Sequence, residues 1–116
     1  MKLFTLLTFF YLFTLPNNYS DPTELQIKVL QAIENEDYTY VEYVIKNKLI
    51  SPRARINGKP LIIHAAIQDK AEMILLLANY GALLIEPYCD EGKDIMEYAI
   101  ENNSIHAQAQ LIIIRA

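Results

Sequence analysis

The sequence predicts an all-α fold, a solenoid of about three helix-turn-helix repeats with hairpin loops between them. A short stretch nearly recurs three times, at steps of 33 and 34 residues. A constant period in this range is the signature of stacked repeat architectures. A helix-start pattern, Asp-x-x-Glu, also occurs three times, once in each of the three units. The recurring stretches are Ala32-Ile33-Glu34-Asn35, Ala65-Ala66-Ile67-Gln68 and Ala99-Ile100-Glu101-Asn102, and the start patterns begin at Asp21, Asp69 and Asp94.

Residues 1–20 do not belong to the repeat. Lys2 precedes a predominantly apolar run over 3–15, and no further charge occurs before Asp21. This arrangement is typical of a secretory signal peptide, and Ser20 suits the last position before cleavage. A membrane span needs roughly 17–25 apolar residues, so the run is too short to cross a bilayer comfortably. We therefore predict a signal peptide over 1–20 and a repeat domain over 21–116. An uncleaved N-terminal anchor remains the open alternative, because Asn18 is large for a cleavage site.

The first unit covers about 21–56. Its first helix is predicted to start in the segment Asp21-Pro22-Thr23-Glu24, where proline occupies the first helical position. Its second helix is predicted from Tyr38 to Asn47, and the residues that should face inward are Val41, Val44 and Ile45. The pair Lys48-Leu49 lies 33 residues before Gly81-Ala82 and should end this helix in the same way.

The middle unit, about 57–90, carries the clearest pattern. The small side chains of Ala65 and Ala66 allow two antiparallel helices to approach closely. The segment 73–77 is apolar on more than one side, which predicts a helix buried by neighbours on both faces. Asp69 and Glu72 form the predicted capping box of this second helix. Gly81 suits the left-handed conformation that ends many helices.

The third unit, about 91–116, keeps a glycine and an alanine in register, at Gly92 and Ala99, and the Asp94–Glu97 box. Its last helix should run from Ser104 to Ile114. The end of that helix, 111–114, is unusually apolar for a solvent-facing cap. We expect ordinary burial of two or three of these four residues. An array truncated relative to a longer one, or a surface for a partner or a second copy, remains open.

The middle unit resembles the ankyrin repeat family. The residues that carry the resemblance are Gly58, Pro60-Leu61, His64, Ala65-Ala66, Glu72, Leu76-Leu77 and Gly81-Ala82. Pro60 lies one place early, His64 one place late, and Asp69 replaces the family's helix-connecting glycine. The resemblance implies a protein-binding module that contacts its partner through the hairpin tips and the exposed face of the first helices. The family that the chain resembles includes small secreted ankyrin repeat proteins of bacterial type. Separately, heavy use of Ile, Asn, Lys and Tyr resembles the composition of proteins from AT-rich bacterial genomes.

The sequence offers little material for catalysis. His64 and His106 lie in different units and have no companion at a metal-ligand spacing. We expect a core or cap role for His64 and solvent exposure for His106. Cys89 is the single cysteine, and the adjacent Asp90 and Glu91 suppress its thiolate. No glycine-rich phosphate loop or nucleophile elbow is present. We predict no enzymatic activity, no cofactor and no metal site.

Charge and loop composition point to a protein partner, whose identity the sequence does not name. Residues 21–116 contain nine basic and 14 acidic residues, a net charge near −5, which argues against nucleic-acid binding. Membrane contact is expected only if residues 1–20 are retained; otherwise the protein should be secreted or periplasmic. Arg and Tyr are favoured anchors at protein interfaces. The predicted partner-binding residues lie in the loops 51–57 and 86–91 and are Arg53, Arg55, Asn57, Tyr88, Asp90 and Glu91.

Overall fold

The computed structural model describes residues 21–82 and 92–115, and the predicted signal peptide lies outside them. Within these ranges the chain forms six helices and one short β-hairpin, so the predicted all-α class is confirmed. The elements are α1 (Glu24–Glu34), α2 (Tyr38–Lys46), β1 (Arg55–Ile56), β2 (Lys59–Pro60), α3 (Leu61–Ile67), α4 (Ala71–Asn79), α5 (Ile95–Glu101) and α6 (Ile105–Arg115).

One type of turn joins the helices into three pairs, α1 with α2, α3 with α4, and α5 with α6. The middle residue of each turn has a positive φ: 59° at Glu36, 59° at Asp69 and 55° at Asn103. In each turn the next backbone N–H donates to the carbonyl of a recurring alanine. These bonds are Asp37 N to Ala32 O (2.8 Å), Lys70 N to Ala65 O (2.9 Å) and Ser104 N to Ala99 O (2.8 Å). The repeat period of the sequence therefore corresponds to a turn of the same backbone geometry that recurs at the same steps.

The pairs pack on one another in chain order. The first helices form one row, in which α1 contacts α3 and α3 contacts α5, and the second helices α2, α4 and α6 form another. The predicted inward residues Val41, Val44 and Ile45 are buried, and Ala65 and Ala66 are fully buried. One core runs through all three pairs, and its largest fully buried side chains include Ile33, Leu61, Ile62, Met73, Ile74, Leu77, Ile95 and Leu111.

Two of the three predicted helix starts are wrong. The Asp94–Glu97 box forms as predicted, with both reciprocal bonds at 2.8 Å. Helix α1 is instead capped by Thr23, which exchanges bonds with Gln26, because Asp21 lies too far before the first turn to reach it. Helix α4 has Lys70 at its N-cap and no side-chain capping bond. Asp69 cannot cap α4, since its positive φ turns it toward the next helix pair.

The helix ends agree with the repeat register. Gly81 has a φ of 109°, the predicted left-handed conformation, and Lys48 takes the equivalent place with a φ of 59°. In both turns the next N–H bonds back to the helix: Leu49 N to Val44 O at 2.9 Å and Ala82 N to Leu77 O at 3.0 Å. Helix α2 ends at Lys46 with Asn47 as its C-cap, close to the predicted end.

The burial predicted for the end of α6 is wrong in part. Leu111 is fully buried and Ile114 is half-buried, but Ile112 and Ile113 are 62% and 67% exposed. Helix α6 buries one narrow stripe, Ala107 and Leu111, toward the other helices. Among the described residues no helix follows to cover its other side.

Candidate functional site

A β-hairpin between the first and second helix pairs carries three of the predicted site residues. Arg55 pairs with Pro60 and Ile56 with Lys59 in an antiparallel register. The two turn residues, Asn57 and Gly58, have φ values of 56° and 78°. Two consecutive positive φ values are the type I′ geometry that asparagine followed by glycine favours. Arg53, Arg55 and Asn57 are all exposed.

Buried contacts hold the base of this hairpin. The Ile56 side chain is 2% exposed, and the Leu61 N–H donates to the Ala54 carbonyl at 3.1 Å. The ring of His64, a residue of α3, is hydrogen-bonded to the hairpin, with its Nε2 2.8 Å from the Ile56 carbonyl oxygen. Burial lowers the pKa of His64, and the hydrogen bond to Ile56 offsets this only in part. The neutral ring therefore donates Nε2–H to Ile56, in agreement with the structural role predicted for His64.

Two further cations, Lys59 on the hairpin itself and Lys93 before α5, lie near the ring of Tyr98 in the third helix pair. The Lys59 Nζ is 6.0 Å and the Lys93 Nζ 5.4 Å from the ring centroid of Tyr98, which is itself buried. Lys93 also pairs with Glu101 at 2.8 Å. Sequence reasoning missed both lysines, because only the fold brings Lys93 to the neighbourhood of the loop 51–57.

A shallow cleft of about 260 Å³ lies between the first helices α1 and α3. Its apolar part includes Ile27, which is 45% exposed, and Leu30. His64 lines this cleft and bonds the hairpin through its other edge. The cleft and the hairpin are therefore adjacent, and together with Arg53, Arg55 and Asn57 we call them the hairpin surface.

A second cleft, of about 410 Å³, lies between the second helices and was not predicted. The Tyr80 hydroxyl donates to Glu42 Oε2 at 2.6 Å, and Tyr38 and Glu72 also line this cleft. The bond to Glu42 raises the pKa of Tyr80, and burial followed by nearby carboxylates raises the pKa of Tyr38. Both phenols stay protonated, and the carboxylates of Glu42 and Glu72 line the same cleft as the apolar side chain of Leu75. This arrangement can accept a basic side chain.

Polar contacts from the turns fix the second helix pair on the third. Asp69 Oδ1 accepts a hydrogen bond from the Ala107 N–H at 2.8 Å. Its other oxygen, Oδ2, is 2.8 Å from His106 Nδ1. Burial acts to raise the pKa of Asp69, but the bonds from His106 and Ala107 prevail and hold it below its ordinary value. The buried Ser104 hydroxyl donates to the Ile67 carbonyl at 3.2 Å. The His106 side chain is 79% exposed, as predicted.

The predicted residues of the second loop, Tyr88, Asp90 and Glu91, lie outside the described residues, as does Cys89. Within 21–82 and 92–115 no three side chains are grouped so that they could hold a metal ion. None of the helices in these ranges has the length and apolar character needed to cross a membrane. Comparison with known proteins finds no matching family model, no matching curated protein and no matching solved structure.

Proposed function

We propose that this chain is a non-enzymatic protein–protein interaction module of the ankyrin-repeat type. Three helix pairs, joined by one recurrent turn and packed in chain order, support the repeat assignment. The hairpin precedes the middle pair, whose sequence carries the resemblance to that family. Stacked repeats present an extended surface and not, by default, an enclosed pocket, which suits recognition of another protein.

The hairpin is the observation on which the proposal rests. Its strand pairing and the His64 bond to Ile56 hold the loop in one conformation before any partner arrives. A preorganised loop loses little conformational entropy on binding. Arginine binds carboxylates with two parallel hydrogen bonds and is a frequent interface anchor. The partner is therefore a protein with an acidic segment, which Arg53 and Arg55 engage, and an apolar residue for the adjacent cleft.

Replacing both Arg53 and Arg55 by alanine should weaken partner binding by about tenfold to a hundredfold, because interface arginines commonly contribute 1 kcal/mol or more each. The partner is first identified by cross-linking and mass spectrometry in extracts of the native host. Its Kd is then titrated for both forms. The matched control replaces Lys28 and Lys46, two exposed cations on α1 and α2, and should leave the Kd nearly unchanged. Equal losses in both variants would indicate a net-charge effect and reject the hairpin surface.

We further propose that the module is exported and released, as a secreted or periplasmic protein, after removal of residues 1–20. The basis is the apolar run after Lys2 and the small Ser20 at its end. Intact mass and N-terminal sequencing of the soluble and membrane fractions test this. A soluble species that begins near Asp21 supports release. A membrane-bound species that retains Met1 to Ser20 supports the alternative, a membrane-tethered structural adaptor, and overturns the released form.

A further inference from the structure

The third helix pair presents four exposed isoleucines. Ile100 on α5 is 56% exposed, and on α6 Ile105, Ile112 and Ile113 are 70%, 62% and 67% exposed. These four residues, which we call the isoleucine face, are half of the eight exposed large hydrophobic side chains of the described residues. An apolar patch of this kind on a small protein marks an interaction surface.

The repeat register shows that two of the four positions, those of Ile100 and Ile112, are buried in the first helix pair. Ile33 lies 67 residues before Ile100, in the equivalent position, and is 1% exposed. Ile45 lies 67 residues before Ile112 and is 7% exposed. In the first pair both positions belong to the common core, and α1 and α2 each contact a helix of the pair that follows. In the third pair no described helix follows, so the same positions remain in solvent.

The pattern of α6 is complementary to itself. Ile105 and Ile112 are two helical turns apart and lie on one face, on either side of the pair Gln108-Ala109. If two α6 helices cross antiparallel at that midpoint, Ile105 of each copy meets Ile112 of the other. The small, exposed Ala109 at the centre allows the two backbones to approach. An isologous contact of this kind closes after two subunits, as in the commonest class of oligomer.

Head-to-tail stacking is the alternative to the two-fold crossing, and it would bring α1 onto the isoleucine face. Apart from Ile27, the exposed side chains of α1 are polar: Glu24, Lys28, Gln31 and Glu34.

We propose that two copies of this chain associate through the isoleucine face as a two-fold dimer with antiparallel α6 helices. The hairpin surface lies on the first two helix pairs, so the dimer would carry two of them. A partner with two acidic segments would then bind with an affinity raised by effective concentration. The dimer itself does not depend on the proposed function and is tested separately.

Sedimentation equilibrium of the protein expressed from its full coding sequence tests the dimer, and the wild type should show the mass of two chains at micromolar concentration. Ile112→Asp should raise the dimer dissociation constant at least a hundredfold. The control Leu49→Asp changes a residue that is 52% exposed and lies outside the isoleucine face, and it should leave the dimer intact. A monomeric wild type, an open series of growing masses, or equal effects of both substitutions would overturn the proposal.

A cross-link provides a second test that does not require an aspartate in the apolar face. In a Cys89→Ser background, Ala109→Cys places a thiol at the centre of the crossing, where two copies meet. Mild oxidation should join most chains in pairs. The control Gln31→Cys, on an exposed position of α1, should remain largely monomeric under the same conditions. Equal cross-linking at both positions, or none at position 109, would contradict the two-fold crossing at α6.

Discussion

Replacing Leu77 by alanine is expected to lower the free energy of unfolding by about 2–5 kcal/mol. Leu77 is fully buried on α4, the helix that contacts both α2 and α6. Its neighbours belong to packed helices that cannot collapse freely into the space, so the loss includes both burial of the side chain and a residual cavity. Since the free energy of unfolding of small domains is only about 5–15 kcal/mol, this single change should remove a large part of it.

Urea unfolding followed by circular dichroism measures this loss. The matched control is Leu75→Ala, two residues earlier on the same helix, where the side chain is 40% exposed. Because much of the Leu75 side chain is already in water, its removal should cost about 1 kcal/mol or less. Helix propensity changes equally in the two variants, so it cancels in the comparison. Equal destabilisation would show that α4 does not bury the face assigned to it.

Replacing Asp69 by alanine is expected to cost about 3 kcal/mol, although the residue lies in a surface turn. The substitution removes the acceptor of the Ala107 N–H, one of the donors at the start of α6 that lack a partner within the helix. It also removes the bond with His106 and any favourable interaction of the carboxylate with the α6 dipole. Alanine is strained at the φ of 59° that Asp69 adopts.

Asp69→Asn separates these contributions. Asparagine tolerates a positive φ and keeps an oxygen that can accept from the Ala107 N–H, so the expected loss is only about 1 kcal/mol, from the missing charge. Both variants are compared with wild type by thermal and urea unfolding. If Asp69→Ala and Asp69→Asn were equally unstable, the charge alone would matter, and the capping role of the oxygen would be wrong.

The difference between wild type and Asp69→Asn should also depend on pH. The bonds from His106 and Ala107 outweigh burial and hold the pKa of Asp69 below its ordinary value of 3.8. A carboxylate with a lowered pKa stabilises the folded state above its ordinary pKa and loses that contribution as pH falls through the folded value. The stability gap should therefore be full near neutrality and shrink below about pH 4. A gap that stays constant down to pH 2 would contradict the assignment.

The exposed loop 51–57 was predictable because its signal is local, whereas the cleft between α1 and α3 was not predicted. Asn57-Gly58 selects a tight turn from sequence neighbours alone, and Arg53 and Arg55 flank it on exposed positions. The cleft between the second helices was not predictable in this way. Its Tyr80–Glu42 hydrogen bond joins residues 38 apart, and two further lining residues, Tyr38 and Glu72, are 34 apart in the sequence. Nothing in either local segment indicates such a partner.

The sequence by itself determined the period, the helix pairs, the left-handed position of Gly81 and the buried stripe of α2, since these follow from contacts within one or two turns. Only the tertiary structure decided the partner of Asp69. The Asp69–Glu72 pattern predicts that Asp69 caps α4, which begins two residues after it. The packing of the helix pairs instead places the start of α6 within reach of the Asp69 carboxylate. The tertiary structure also decided which isoleucines stay exposed to solvent. Equivalent residues such as Ile45 and Ile112 are equally apolar, and burial depends on whether another helix pair packs against them.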